Sequence, residues 1–242
     1  MGFYRGPGIV RAGLQNSWDL ASERSYPSSG DNNPSGTTVY DLASSNNLTV
    51  SGTPTFSNVD PGDGQGFITF DDNQNTQYLS VASYPIPTEA ATFEIWCRCD
   101  DTSQNQALMS YAISGDDNES LLFHVNATSG WGLFGPSGNI TSNQSIENQT
   151  WTQVVRTSFR STGAEKLYHN GSNVYNGTLA AGTNFTTGGT LVFGQESDSV
   201  GGGFSSAQCW IGDISLIRIY NRVLSADEVL QNYYAHKSRF GI

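Results

Sequence analysis

With 242 residues the chain falls within the range of one large β-sandwich, and its low charged fraction (14%) with 27 Gly suits short strands joined by many turns. Eleven Lys and Arg against 22 Asp and Glu leave a net charge of −11. That balance argues against nucleic acid and anionic membranes as partners and suits solubility and cation binding, and no apolar run approaches the roughly 20 residues of a membrane helix.

Residues 1–12 carry Gly, Arg and Pro7 without periodicity and read as a terminal arm, either ordered or loose; the first ten lack the apolar core of a signal peptide. Residues 13–242 read as a single domain. Alternation from Leu14 to Leu20, with Trp18, predicts a first strand. A turn-rich run follows, then apolar positions at Val39, Tyr40 and Leu42 and again at Leu48 and Val50. Residues 53–66, rich in Pro and Gly, read as a loop, and 67–70 and 78–81 as strands.

The run 92–100 is a strong strand. Phe93, Ile95, Cys97 and Cys99 share one face, and Glu94, Trp96 and Arg98 the other. Residues 107–113 and 120–125 form a predicted hairpin around a GDDNE loop at 115–119, at the sandwich rim where sites often lie. The pattern continues through 130–135. His124 lies inside an apolar strand and reads as structural, with no nucleophile suggested nearby. The run 151–159 alternates, and Asn170-Gly171 inside 166–179 signals a tight hairpin. Trp131, Trp151 and Trp210 offer flat faces to sugars, but packing is the default expectation for them. Residues 214–220 are apolar on both faces, as in a central strand. Ser225 and Glu228 then make a capping box for a short C-terminal helix. The three cysteines, Cys97, Cys99 and Cys209, read as buried reduced thiols: an odd number, with two of them too close along one strand for an ordinary staple. The fold class is therefore all-β, an antiparallel sandwich with a short C-terminal helix.

The stretch richest in chemistry is 191–213. Leu191, Val192 and Phe193 form a short strand, and Gly194 frees the backbone. Glu196 and Asp198 come two apart, on one side of an extended chain, and repel unless a cation or proton lies between them. Gly201, Gly202 and Gly203 permit a tight reversal. Gln208 supplies another oxygen before an apolar strand expected at Trp210 and Ile211. Oxygen donors of this kind suit a hard cation such as calcium.

GQESDS at 194–199, GGGF at 201–204, Gln208 and IGDI at 211–214 resemble the calcium loop of pentraxins, lectin-like jelly rolls of the laminin-G and concanavalin A-like group. SYAISGDDNESLLF at 110–123 is similar to the segment that completes the first pentraxin calcium site. The resemblance implies a jelly roll and a calcium site held by Asp117, Asn118, Glu196, Asp198 and the backbone oxygen of Ser197. The family's second calcium uses Gln208, which is retained, and a Glu where this chain has Ser205. It thus supports one calcium and removes a ligand from the second. The family's disulfide has no counterpart here.

A second resemblance covers the first third. YRGPGIV at 4–10, SYP at 25–27, GTTVYDL at 36–42 and GTPTF at 52–56 are similar to a recurrent N-terminal segment of laminin-G-like proteins of tailed phages, especially cyanophages. It implies a virion structural protein on capsid or tail, assembled in the host cytoplasm with other virion proteins. Homo-oligomers are expected, since open sheet edges need covering. A glycan ligand at the host surface is compatible with that role, and a free calcium-dependent lectin is the alternative. Catalysis is not expected. A retaining glycosidase needs paired carboxylates about 5 Å apart. In the strand pattern Glu-x-Asp-x-x-Glu, Gly201 occupies the place of the acid. No nucleophile elbow is present either.

Overall fold

Two eight-stranded antiparallel sheets face each other in a computed structural model that describes residues 7–27, 36–58, 66–71, 75–136 and 138–242. The strands are β1 (Leu14–Asp19), β2 (Thr38–Val39), β3 (Leu48–Ser51), β4 (Thr55–Asn58), β5 (Gly66–Phe70), β6 (Tyr78–Tyr84), β7 (Ala90–Cys99) and β8 (Gln106–Ile113). They continue as β9 (Asp116–Asn126), β10 (Gly130–Gly135), β11 (Gly138–Thr141), β12 (Thr152–Phe159), β13 (Ala164–His169), β14 (Ser172–Thr178), β15 (Gly189–Phe193) and β16 (Gly212–Tyr220). One helix, α1 (Ala226–His236), and a 3₁₀ turn at Lys237–Phe240 close the chain.

The first sheet runs β14-β13-β12-β7-β16-β5-β4, and β1 also pairs with β16; the second runs β11-β10-β9-β8-β15-β6-β3-β2. This is an antiparallel jelly-roll sandwich. β1 and β5 share one edge of β16. β1 takes Leu216–Tyr220 and β5 takes Gly212–Ile214, with the register broken at Ser215. Ser215 fastens the junction, as its Oγ donates to the Gly66 carbonyl at 2.6 Å.

Parity along β7 sorts its side chains as its alternation predicts. Phe93, Ile95, Cys97 and Cys99 enter the main core between the sheets, beside Trp18, Leu122, Leu191, Phe193 and Ile217. Trp96, on the other face, stacks on Phe240 at 4.2 Å and on Tyr233 at 5.9 Å, so α1 and the final turn cover the outside of the first sheet. The three thiols are free and buried. Trp131, Trp151 and Trp210 are also buried, and Trp131 stacks on Trp210, so their faces serve packing.

The arm is pinned from Pro7 onward. Val10 N–H donates to Asn232 at 2.8 Å, Tyr220 OH donates to the Val10 carbonyl, and Val10 packs with Val229 and Leu224. Residues 1–6 lie outside the described residues, as does half of the 71–76 loop, at 72–74. Four details differ from expectation. β4 forms inside the expected loop 53–66, and β11 forms where no strand is predicted. β2 ends at Val39, leaving Tyr40 and Leu42 exposed. Trp210 and Ile211 remain in the loop, because β16 starts at Gly212.

Candidate functional site

β15 delivers the chain to Gly194. Its φ is 91°, and a Cβ there would lie 2.9 Å from the Phe70 ring, so the turn demands glycine. Residues 195–209 then form a loop that closes where Trp210 N–H donates to the Gly194 carbonyl at 3.0 Å. Its first leg lies along β8. Ser110 Oγ donates to the Gln195 carbonyl at 2.8 Å and sits 3.0 Å from Ser197 Oγ, all in buried surroundings. The second leg turns back at once. Ser199 and Gly202 exchange two backbone hydrogen bonds, 3.2 and 3.1 Å, around Val200 and Gly201, with Gly201 at φ 68° against Thr190. The glycines make the reversal that their spacing predicts.

The facing wall comes from β8 and β9. Their turn is only Ser114 and Gly115, so the Asp-Asp-Asn run already belongs to β9 and is not loop, a correction to the expected GDDNE loop. The early start follows from pairing of Ile113 with Asp116. Asp116 Oδ1 accepts from Asn118 N–H, and Asp117 Oδ1 accepts from Asn118 Nδ2, both at 2.9 Å. A cleft of about 430 Å³ lies between residues 113–117 and 198–200.

Glu196 is 4% exposed, and its Oε2 is buried without a hydrogen-bond partner. Its carboxyl is pushed up to about 7. Burial is the largest cause, followed by the charges of Asp198 and Asp117 and a hydrogen bond with Asp198. Asp117, Glu196 and Asp198 therefore sense one another, and the lone carboxylate oxygen has nothing to satisfy it. Among the described residues, no three His, Cys, Asp or Glu side chains converge closely enough to hold a metal as they stand. The donor chemistry, three carboxylates and the Asn118 amide oxygen, nevertheless fits a hard cation. An orphaned acid oxygen held next to two more carboxylates is what such an ion would relieve.

Ser197 keeps the part expected of it, the backbone oxygen, whereas Gln208 is placed differently. Ser197 turns its hydroxyl into the protein toward Ser110, leaving its backbone as the part able to serve. Gln208 is not brought to the cleft. Its carbonyl accepts from Ala107 N–H at 2.9 Å, at the start of β8, roughly 20 Å along the strand from Ile113. The return leg is pinned there because Ile211 N–H donates to Gln106 Oε1 at 2.9 Å. Asp116 also lines the cleft, and its signal in the sequence is the doubled acid Asp116-Asp117. His124 lies 2.8 Å from Ser145 Oγ, but burial pushes its imidazole down to about 4, which makes it a poor base at neutral pH.

A family model described as the concanavalin A-like lectin/glucanases superfamily matches residues 72–230. The chain is 34% identical over 148 residues to the rat sushi, von Willebrand factor type A, EGF and pentraxin domain-containing protein 1, covering 60% of this chain and 4% of that protein. It is 30% identical over 155 residues to rat C-reactive protein, covering 64% of this chain and 66% of that one. Among solved structures, a native heptameric SAP-like pentraxin from Limulus polyphemus superimposes with a TM-score of 0.59 at 25% identity, over 68% of this chain and 79% of that one. The chain thus spans a small part of the first relative and just under two thirds to four fifths of the other two.

Proposed function

From the premise that the chain belongs to the concanavalin A-like lectin/glucanases superfamily, we propose that it is a non-enzymatic, calcium-dependent, lectin-like binding module. The observation that carries this reading is the buried, unpartnered Glu196 Oε2 beside Asp198 and Asp117. Asp117, Glu196 and Asp198 would hold the ion, with the Asn118 amide oxygen and the Ser197 carbonyl as further donors. Calcium supplies a hard positive charge that seeks oxygen ligands, including the hydroxyls of a saccharide. The protein's own residues set the site. Gly194 and Gly201 bend the loop, Ser110 holds its first leg, and the short β8–β9 turn presents Asp117 opposite. Glycan-array retention in calcium, lost in EDTA and lost in Asp117→Asn, is the expected result; arrays blank in both conditions would contradict the saccharide reading.

The finer reading is a virion structural protein on capsid or tail, in contact with other virion proteins and with copies of itself. Its support is the phage-like run of motifs in residues 4–56. Homo-oligomerisation draws support from the heptameric state named for the Limulus pentraxin. Quantitative mass spectrometry of purified particles should find the chain at a fixed copy number, and absence from particles would remove this reading while leaving the calcium module intact.

A further inference from the structure

The first sheet carries a second cleft, which shares no lining residue with the one beside the carboxylates. It opens between the terminal arm, β1 and the end of α1, with a volume of about 390 Å³. That is within the size range of small-molecule sites. Its charge runs against the rest of the chain. Arg11, Arg24 and Arg218 all line it, three of the 11 Lys and Arg in a protein with 22 acids.

Arg218 is 3% exposed. Its Nη1 donates to Glu94 Oε1 at 3.3 Å and its Nη2 meets His236 Nε2, while its buried Nε has no partner. Arg11 and Arg24 are exposed, and neither enters an ion pair among the described residues. The cleft's own carboxylate, Asp19, is already engaged. Arg239 Nη1 lies 2.8 Å from its Oδ1 and 3.0 Å from its Oδ2. Ile9, Leu14 and Leu42 add an apolar flank. Free guanidinium groups recognise oxyanions through paired charge-assisted hydrogen bonds. An anion here is held against a negative global field, so the local cations and the absence of a free acid must decide binding.

We propose that this cleft binds an oxyanion, a carboxylate, sulfate or phosphate, carried free or on an acidic saccharide, with Arg11 and Arg24 closing over it in front of Arg218. The site is independent of calcium. The test therefore uses the full chain in EDTA and follows arginine side-chain NMR signals during titration with sodium sulfate and, separately, sodium glucuronate, at constant ionic strength. Saturable shifts at Arg11, Arg24 and Arg218 are expected, weakened about tenfold or more in Arg11→Gln/Arg24→Gln. Both altered side chains are exposed, so the variant should keep the wild-type circular dichroism, whereas Arg218→Gln would strand Glu94. Tighter glucuronate assigns the site to acidic saccharide, and tighter sulfate assigns it to the free ion. Shifts that never saturate, or equal affinity in the variant, would overturn the proposal.

Discussion

At the scale of single residues, the carboxyl of Glu196 carries the most information. Its value, raised from about 4.5 to about 7, means that near neutrality the folded protein holds a proton there which the proposed calcium ion would displace. Calcium added to weakly buffered protein at about pH 6 should release close to one proton per site, measured with an indicator dye, and Glu196→Gln should release none. Apparent calcium affinity should fall as pH drops through about 7. A structural counterpart lies around Glu165. It is fully buried between Arg156 Nε at 2.9 Å and Arg160 Nη1 at 3.1 Å, and it accepts from Ser158 Oγ at 2.6 Å. Arg156 in turn reaches the other sheet, donating to the Leu121 and Phe134 carbonyls. Glu165→Ala leaves two buried guanidinium groups without their acid, and urea denaturation should show a loss of about 3–5 kcal/mol.

At the scale of elements, α1 is held at its start by a reciprocal cap. Ser225 Oγ accepts from Glu228 N–H at 3.2 Å, and Glu228 Oε2 accepts from Ser225 N–H at 2.9 Å. Arg222 forks onto the same carboxylate at 2.7 and 2.8 Å, and that pairing, with Ser225 behind it, lowers the Glu228 carboxyl to about 2. A depressed acid stabilises the fold above its ordinary range, so the cap weakens only as pH falls from about 4.5 toward about 2. Ser225→Ala should cost about 1 kcal/mol in urea denaturation at neutral pH. This cap was legible in the sequence because both partners lie within four residues. The faces of β7 and the Asn170-Gly171 turn, with φ 49° and 79°, were legible for the same local reason. β4 and β11 were not. Each is a four-residue segment with little apolar alternation, made a strand by pairing with β5 or β10. The carboxylates of the candidate site could be named from spacing and resemblance. The position of Gln208 could not, because hydrogen bonds from Trp210 to Gly194 and from Ile211 to Gln106 decide where the loop closes.

At the scale of the whole molecule, pH sensitivity follows from burial. All three histidines, His124, His169 and His236, are pushed from 6.5 to about 4, with desolvation the first cause in each. A histidine with a depressed value binds its proton better in the unfolded chain, so stability is lost as pH falls from about 6.5 toward about 4. Glu196 works in the opposite sense. Its raised value favours the fold below about 4.5, and that contribution is lost as pH rises through about 7. The three imidazoles outweigh Glu196 and the smaller contributions of Glu119 and Asp213, whose carboxyls burial also raises, which predicts a lower urea midpoint at about pH 5 than at about pH 7 in metal-free protein; an unchanged or higher midpoint would contradict the buried neutral imidazoles. The proposed calcium ion bridges the loop after β15 and the start of β9, both beside β8 in the second sheet. Thermal unfolding in EDTA and then in calcium, beside Asp117→Asn/Glu196→Gln, tests that bridge. Calcium at about 100 times its dissociation constant should add about 2.7 kcal/mol, a rise of several degrees in the wild type and none in the double variant. Identical melting of the wild type in EDTA and in calcium would contradict it.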